Sequence, residues 1–298
     1  MNLKKLSALA AGVALAFGMA APAQAVELVA GDIKFTFNAY DNGTIGYEAA
    51  NPAQFGLLCN SVATCDTRAS SGGSPAVNAY GADTWGIFSI ATITRVSNGA
   101  NIYTSGQGGK YLTGVFGGIQ DYNVTRSDLT VINPDLGIIQ QVLGVGGWLK
   151  MFSNNSNYDP TLGTAGRTGE FAYNGITGGA LELDAVFTTG AVAGSAATYK
   201  NTFNEAGIDG GSAGYLDVVG GAMYSLLNTN AMVDLNGDKH DLKLSSTFDA
   251  FLSTPQVADW TVIASGQVLA NALPEPGSLA IFGLGLAGLA ALRRRKQQ

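Results

Sequence analysis

Ile33-Lys34-Phe35-Thr36-Phe37-Asn38-Ala39-Tyr40 is the stretch that decides the fold. Its odd positions are apolar, and its even positions are polar until Tyr40. A strand sends successive side chains to opposite faces, so this alternation predicts a strand with one buried face. Asp41-Asn42-Gly43 follows as a turn signal. Leu181-Glu182-Leu183-Asp184-Ala185-Val186-Phe187 alternates in the same way before its last residues, which leaves Glu182 and Asp184 on a solvent face. Leu242-Lys243-Leu244 and then Phe248 continue the theme. The runs 85–96, 110–122 and 260–269 carry apolar or β-branched residues on both faces and read as interior strands.

Clusters of Gly, Asn, Asp and Ser at 70–75, 98–101, 153–168 and 207–214 separate these runs and read as turns. Many strands divided by such turns predict an all-β fold, here a single β-sandwich domain of jelly-roll type. One helix is expected near 220–228, weakened by its glycines. The Gly144-Val145-Gly146-Gly147 stretch lacks the strand-to-helix context of a nucleotide-binding fingerprint and reads as a turn or bulge. No internal repeat and no linker divides the middle of the chain.

The chain has 298 residues, of which 46% are hydrophobic and 13% charged. Typical soluble domains carry about 25% charged residues. The overall net charge of −6 conceals an uneven distribution. With Lys4 and Lys5 at one end and Glu275 and Arg293 to Lys296 at the other set aside, ten basic and twenty-one acidic residues remain. A body that acidic repels phosphate backbones, which argues against nucleic acid as a partner.

Both ends carry membrane signals. Lys4 and Lys5 precede an apolar run from Leu6 to Ala21, and Ala23-Gln24-Ala25 supplies the small residues that signal peptidase requires. Residues 1–25 therefore read as a cleavable signal peptide and 26–273 as the folded body. The C-terminal segment, 274–298, opens with Pro274-Glu275-Pro276. An apolar stretch at 278–292 and the cations Arg293, Arg294, Arg295 and Lys296 follow. As a helix the 15-residue stretch spans ~22 Å against a hydrocarbon core of ~30 Å, a gap that snorkelling arginines narrow. The cations stay in the cytoplasm, so the body lies on the other side, in agreement with the leader. The prolines lack amide donors and favour extended backbone, which keeps Glu275 exposed between body and bilayer.

This tail resembles a PEP-CTERM sorting signal, with the Pro-Glu-Pro triplet, the short transmembrane helix and the arginine cluster in order over about the last 25 residues. The resemblance implies processing near the triplet by exosortase, a polytopic membrane transpeptidase. It also implies transient anchoring in the inner membrane, then release to the outer envelope or extracellular matrix. Family members occur in Gram-negative bacteria that secrete exopolysaccharide, and some are tied to biofilm or floc formation.

Cys59 and Cys65 are the two cysteines. Export takes them into an oxidising compartment, which predicts a disulfide that staples a short loop and stabilises the fold by about 2 kcal/mol. His240 is the one histidine, so a His-rich zinc or iron site within one chain is excluded. Neither a nucleophile elbow nor a Walker loop is present. Asp234, Asn236 and Asp238 match the opening of an EF-hand-type calcium loop, but Lys239 stands where Gly is expected and Ser245 where a bidentate Glu belongs. Calcium or a plain acidic turn are the two readings of that segment. Glu170, Glu182, Asp184 and Glu205 could supply a glycosidase pair, although a body this acidic contains such pairs by chance. Trp85 and Trp148 sit in strand patterns and are expected in the core, while Tyr158, in an Asn-rich loop, is the freer aromatic for stacking on sugars. The reading is a non-catalytic, exported protein with a structural or adhesive role in exopolysaccharide. A carbohydrate-binding module is the alternative, and a secreted polysaccharide hydrolase the more distant one.

Overall fold

The computed structural model describes residues 31–42, 56–65, 84–128, 132, 137–169, 172–203, 209–250 and 257–271. The expected signal peptide at 1–25, the tail at 274–298, Glu170 and Glu205 lie outside them.

Fifteen strands occur among the described residues: β1 (Ile33–Asn42), β2 (Gly56–Cys59), β3 (Thr84–Arg95), β4 (Asn101–Thr104), β5 (Tyr111–Asp128), β6 (Ile138–Asn154), β7 (Arg167–Gly169), β8 (Ala172–Tyr173), β9 (Ala180–Thr188), β10 (Tyr199–Phe203), β11 (Asp209–Gly220), β12 (Met232–Val233), β13 (Lys239–His240), β14 (Leu242–Ala250) and β15 (Val262–Ala270). A four-residue helix, α1 (Tyr224–Leu227), lies in the expected 220–228 stretch.

The fold is all-β, as the alternation predicts, but the expected pair of packed sheets is replaced by one sheet that closes on itself. The ring runs β1–β3–β5–β6–β9–β11–β14–β15 and returns to β1, with every neighbour antiparallel. These eight strands follow one another in chain order round the ring, which is an up-and-down barrel. Closure depends on β5 and β6, which pair from Tyr111–Asn154 to Asp128–Ile138. The register of that hairpin shifts between Asp121 and Asn123, and nearby Gly118, Gly146 and Gly147 all have positive φ; together they supply the bend that a closing sheet needs.

One barrel position is shared by two strands. β9 pairs β11 up to Thr188↔Tyr215, and β10 resumes at Tyr199↔Gly214. The chain thus leaves the barrel wall after Thr188, makes an excursion over 189–198 and re-enters beside the place it left. The 207–214 cluster, expected as a turn, belongs largely to β11. Its glycines are needed because aromatic rings crowd the inner face: a Cβ on Gly210 would overlap Phe248, and one on Gly214 would stand 3.1 Å from Phe187.

Inward positions of the alternating strands form the main core: Ile33, Phe35, Phe37 and Ala39 from β1, Leu183, Ala185 and Phe187 from β9, Leu242 and Leu244 from β14. Lys34, Thr36, Asn38, Lys243, Ser245 and Thr247 alternate with them on the outside. A membrane-spanning barrel would show the reverse order, with an apolar outer band. No helix among the described residues is long and apolar enough to cross a membrane.

A second core lies outside the barrel. Trp85, Ile87, Val115, Phe152, Tyr173, Ile176 and Trp260 pack together, with Tyr40, Trp148, Tyr158 and Val257 against them. The connection between β6 and β9 supplies part of this layer, and Trp260 Nε1 donates to the Pro160 carbonyl at 2.8 Å. This covering accounts for the apolar residues on both faces of β3 and β5. The Cys59–Cys65 disulfide is formed, and it packs with Val124 and Val142 on the far part of the β5–β6 hairpin.

Candidate functional site

Two outward rows of residues cross the sheet formed by β14, β15 and β1. Register places Asn38, Ser265 and Thr247 side by side across the three strands, and Tyr40, Ile263 and Asp249 in the next outward row. Together they line a shallow groove of about 190 Å³. Asn38, Thr247, Asp249 and Ser265 are exposed, and Tyr40 is half-buried. Tyr40 is braced from the far side by Tyr158 at 5.8 Å and Trp260 at 6.5 Å between ring centroids. The groove therefore offers an amide, two hydroxyls and a carboxyl on a rigid sheet, with an aromatic ring at one end. Such a set can exchange hydrogen bonds with a polyhydroxylated ligand and pack one face of it.

Asp249 has a special partner. It stands directly opposite Asp209 on β11. A hydrogen bond with the Asp209 carboxyl, helped by desolvation and by the neighbouring charge, raises Asp249 above the ordinary carboxylate range. Asp249 thus holds its proton to a higher pH than a lone surface aspartate does.

Asp234, Asn236 and Asp238 lie in the turn between β12 and β13. Asp234 is buried, and its Oδ1 accepts the Asn236 and Asp238 amides, each at 2.8 Å. Its Oδ2 faces His240 Nε2 at 3.4 Å. Burial opposes ionisation of Asp234, but the two amides and His240 outweigh it and hold the carboxyl below the usual value. Asn236 Oδ1 accepts the Gly194 amide of the 189–198 excursion at 2.8 Å. These oxygens tie the turn to its own backbone and to the excursion. Among the described residues no three His, Cys, Asp or Glu side chains gather as a metal site.

His240 is buried, with Nδ1 3.0 Å from Thr188 Oγ1 and 3.1 Å from Asp217 Oδ1. Asp241, its neighbour, accepts the amides of Val218, Thr229 and Asn230. His240 and Asp241 together form a buried brace that fixes the β11–β14 connection. Asp184 on β9 is paired with Lys150 at 2.5 Å. Tyr158 is not the free aromatic the sequence suggested. It packs on Tyr40, and burial, with Tyr40 beside it, raises its hydroxyl pKa. Trp85 is buried, as expected, with the Arg167 guanidinium 4.1 Å from its ring centroid.

The groove was not visible in the alternation. Its one trace there is Tyr40, an aromatic residue that breaks a row of polar outward positions. Asp41 carries a similar trace. Asp41-Asn42-Gly43 carries a turn signal, yet β1 continues through Asp41 and places it at an inward position of the barrel.

Outside the described residues, the family model of the PEP-CTERM protein-sorting motif matches 272–296. Pro274, Glu275, Pro276, Arg293, Arg294 and Arg295 all fall within that match, while Ala23 and Ala25 of the peptidase site lie at the other end. The chain thus combines an all-β body with a C-terminal segment that matches the sorting motif. That signal implies an exported protein that passes through the membrane and is addressed to exosortase. Comparison with curated proteins and with solved structures gives no match.

Proposed function

We propose that the protein is an exported structural or adhesive component of the outer envelope or extracellular matrix, and that it contacts exopolysaccharide through the groove on β14, β15 and β1. Signal peptidase removes the leader after Ala25, the C-terminal helix holds the chain briefly in the inner membrane, and exosortase processes it near Pro274-Glu275-Pro276. The observation that carries this reading is the sorting motif at 272–296. The groove supports the second half of it, because its polar rows and Tyr40 suit a hydroxyl-rich, uncharged polymer.

A selective carbohydrate-binding module is the second reading, favoured by the same groove. A glycan array with the purified protein separates the two. Weak retention on many neutral polysaccharides, reduced by Tyr40→Ala and Thr247→Ala, fits a matrix component. Tight binding of one defined sugar fits the module. No retention on any glycan removes the groove from the account.

A further inference from the structure

The barrel interior is incompletely filled. Side chains from all eight strand positions face a cavity within which the centre of a water molecule could occupy about 60 Å³. At one end its walls are the buried Met151, Leu183, Leu216 and Leu242. At the other end Asp41, Phe116, Tyr199 and Ser246 point inward yet keep partial contact with solvent. An inward residue that water still reaches marks the mouth of the lumen. Ser212 is also there and hydrogen-bonds with Tyr199.

The shape follows from register. On β1 the lining runs from Phe35 to Asp41. Six residue steps cover about 20 Å of strand, or about 15 Å along the axis of a barrel whose strands tilt by roughly 40°. So small a free volume spread over that length is a narrow tube. It is too thin for a ring system and suits one extended hydrocarbon chain. At C–C bonds of about 1.5 Å in a zigzag, the tube spans roughly ten to twelve carbons. The polar groups are confined to the mouth, where a head group would meet the Asp41 carboxyl and the Tyr199 and Ser246 hydroxyls. Asp121 lies near enough to act on Tyr199, so the surroundings of the mouth are acidic. An anionic head would be repelled there.

We propose that the barrel lumen binds a single-chain amphiphile, with an unbranched alkyl tail running from the mouth towards Leu216 and Leu242 and an uncharged or cationic head at Asp41. The site opens inside the barrel and the groove outside it, and the two share Phe248 and Ala264 in the wall between them. Burial of the tail supplies the affinity, and the acidic mouth supplies selection against fatty-acid carboxylates.

The test is native mass spectrometry at pH 8.5, where the Asp41 carboxyl is ionised, of the full chain released from phosphatidylcholine nanodiscs, with 1-dodecanol, dodecylamine and dodecanoate as probes. One-to-one adducts are expected with the alcohol and the amine, at least tenfold more abundant than with dodecanoate. Ala264→Phe, which fills the lumen, should reduce them at least tenfold. Because that change could impair folding, Asp41→Asn serves as a second variant. It should lower the dodecylamine adduct at least fivefold and leave the 1-dodecanol adduct unchanged. Absence of adducts with all three probes overturns the proposal. So does an adduct that persists in a folded Ala264→Phe protein, equal binding of dodecanoate, or retention of two-chain phospholipid in place of the probes.

Discussion

Gly114 on β5 lies directly under the ring of Phe88 on β3, and a Cβ at Gly114 would overlap both that ring and the Lys150 carbonyl. The contact joins three consecutive barrel strands at one point. Gly114→Ala should therefore destabilise the fold by about 1–3 kcal/mol, because the ring and the β6 backbone must both shift. Gly178→Ala is the control, since open space surrounds that position. Urea denaturation followed by circular dichroism should show a lower midpoint for the first variant and little change for the second.

Asp41 sets a pH dependence. Burial at the barrel mouth pushes its carboxyl from 3.8 up to about 7. Between those values the folded state keeps a proton that the unfolded chain has released, so stability falls as pH rises from about 4 to about 7. Asp41→Asn stays neutral throughout and should remove that slope. At pH 8 the variant should be more stable than the parent by about 4 kcal/mol, and at pH 4 the two should nearly agree. Thermal melts across this range provide the check.

Asp241 anchors the β11–β14 connection through three amides, those of Val218, Thr229 and Asn230. Replacing it by alanine leaves buried donors without an acceptor. A loss of about 3 kcal/mol is expected, more than for most single changes. Asp241→Asn, which retains one acceptor oxygen, should lose less. Hydrogen exchange at the Val218, Thr229 and Asn230 amides should accelerate in the alanine variant.

The strands were legible in the sequence because their two faces meet different surroundings. Phe35 and Phe37 against Thr36 and Asn38 carry that contrast in residue type alone. Closure of the sheet was not legible. It depends on Asp128 and Ile138 pairing at one end of a hairpin and Tyr111 and Asn154 at the other, which are long-range registers that alternation does not encode. Gly210 and Gly214 misled for a related reason. They look like turn residues, and only the rings of Phe248 and Phe187 across the barrel explain them. Of the functional features, the sorting tail was readable because its chemistry is contiguous. The groove was not, because Asn38, Ser265 and Thr247 come together only through strand register.

The most direct test of the central claim is the intact mass and location of the protein recovered from cells that carry exosortase. A chain beginning at Val26, shortened near Pro274-Glu275-Pro276 and found outside the inner membrane, is the predicted result. Changing that triplet to alanines should leave the tail in place and the protein in the inner membrane. A full-length chain in the cytosol, with both ends intact, would contradict the account.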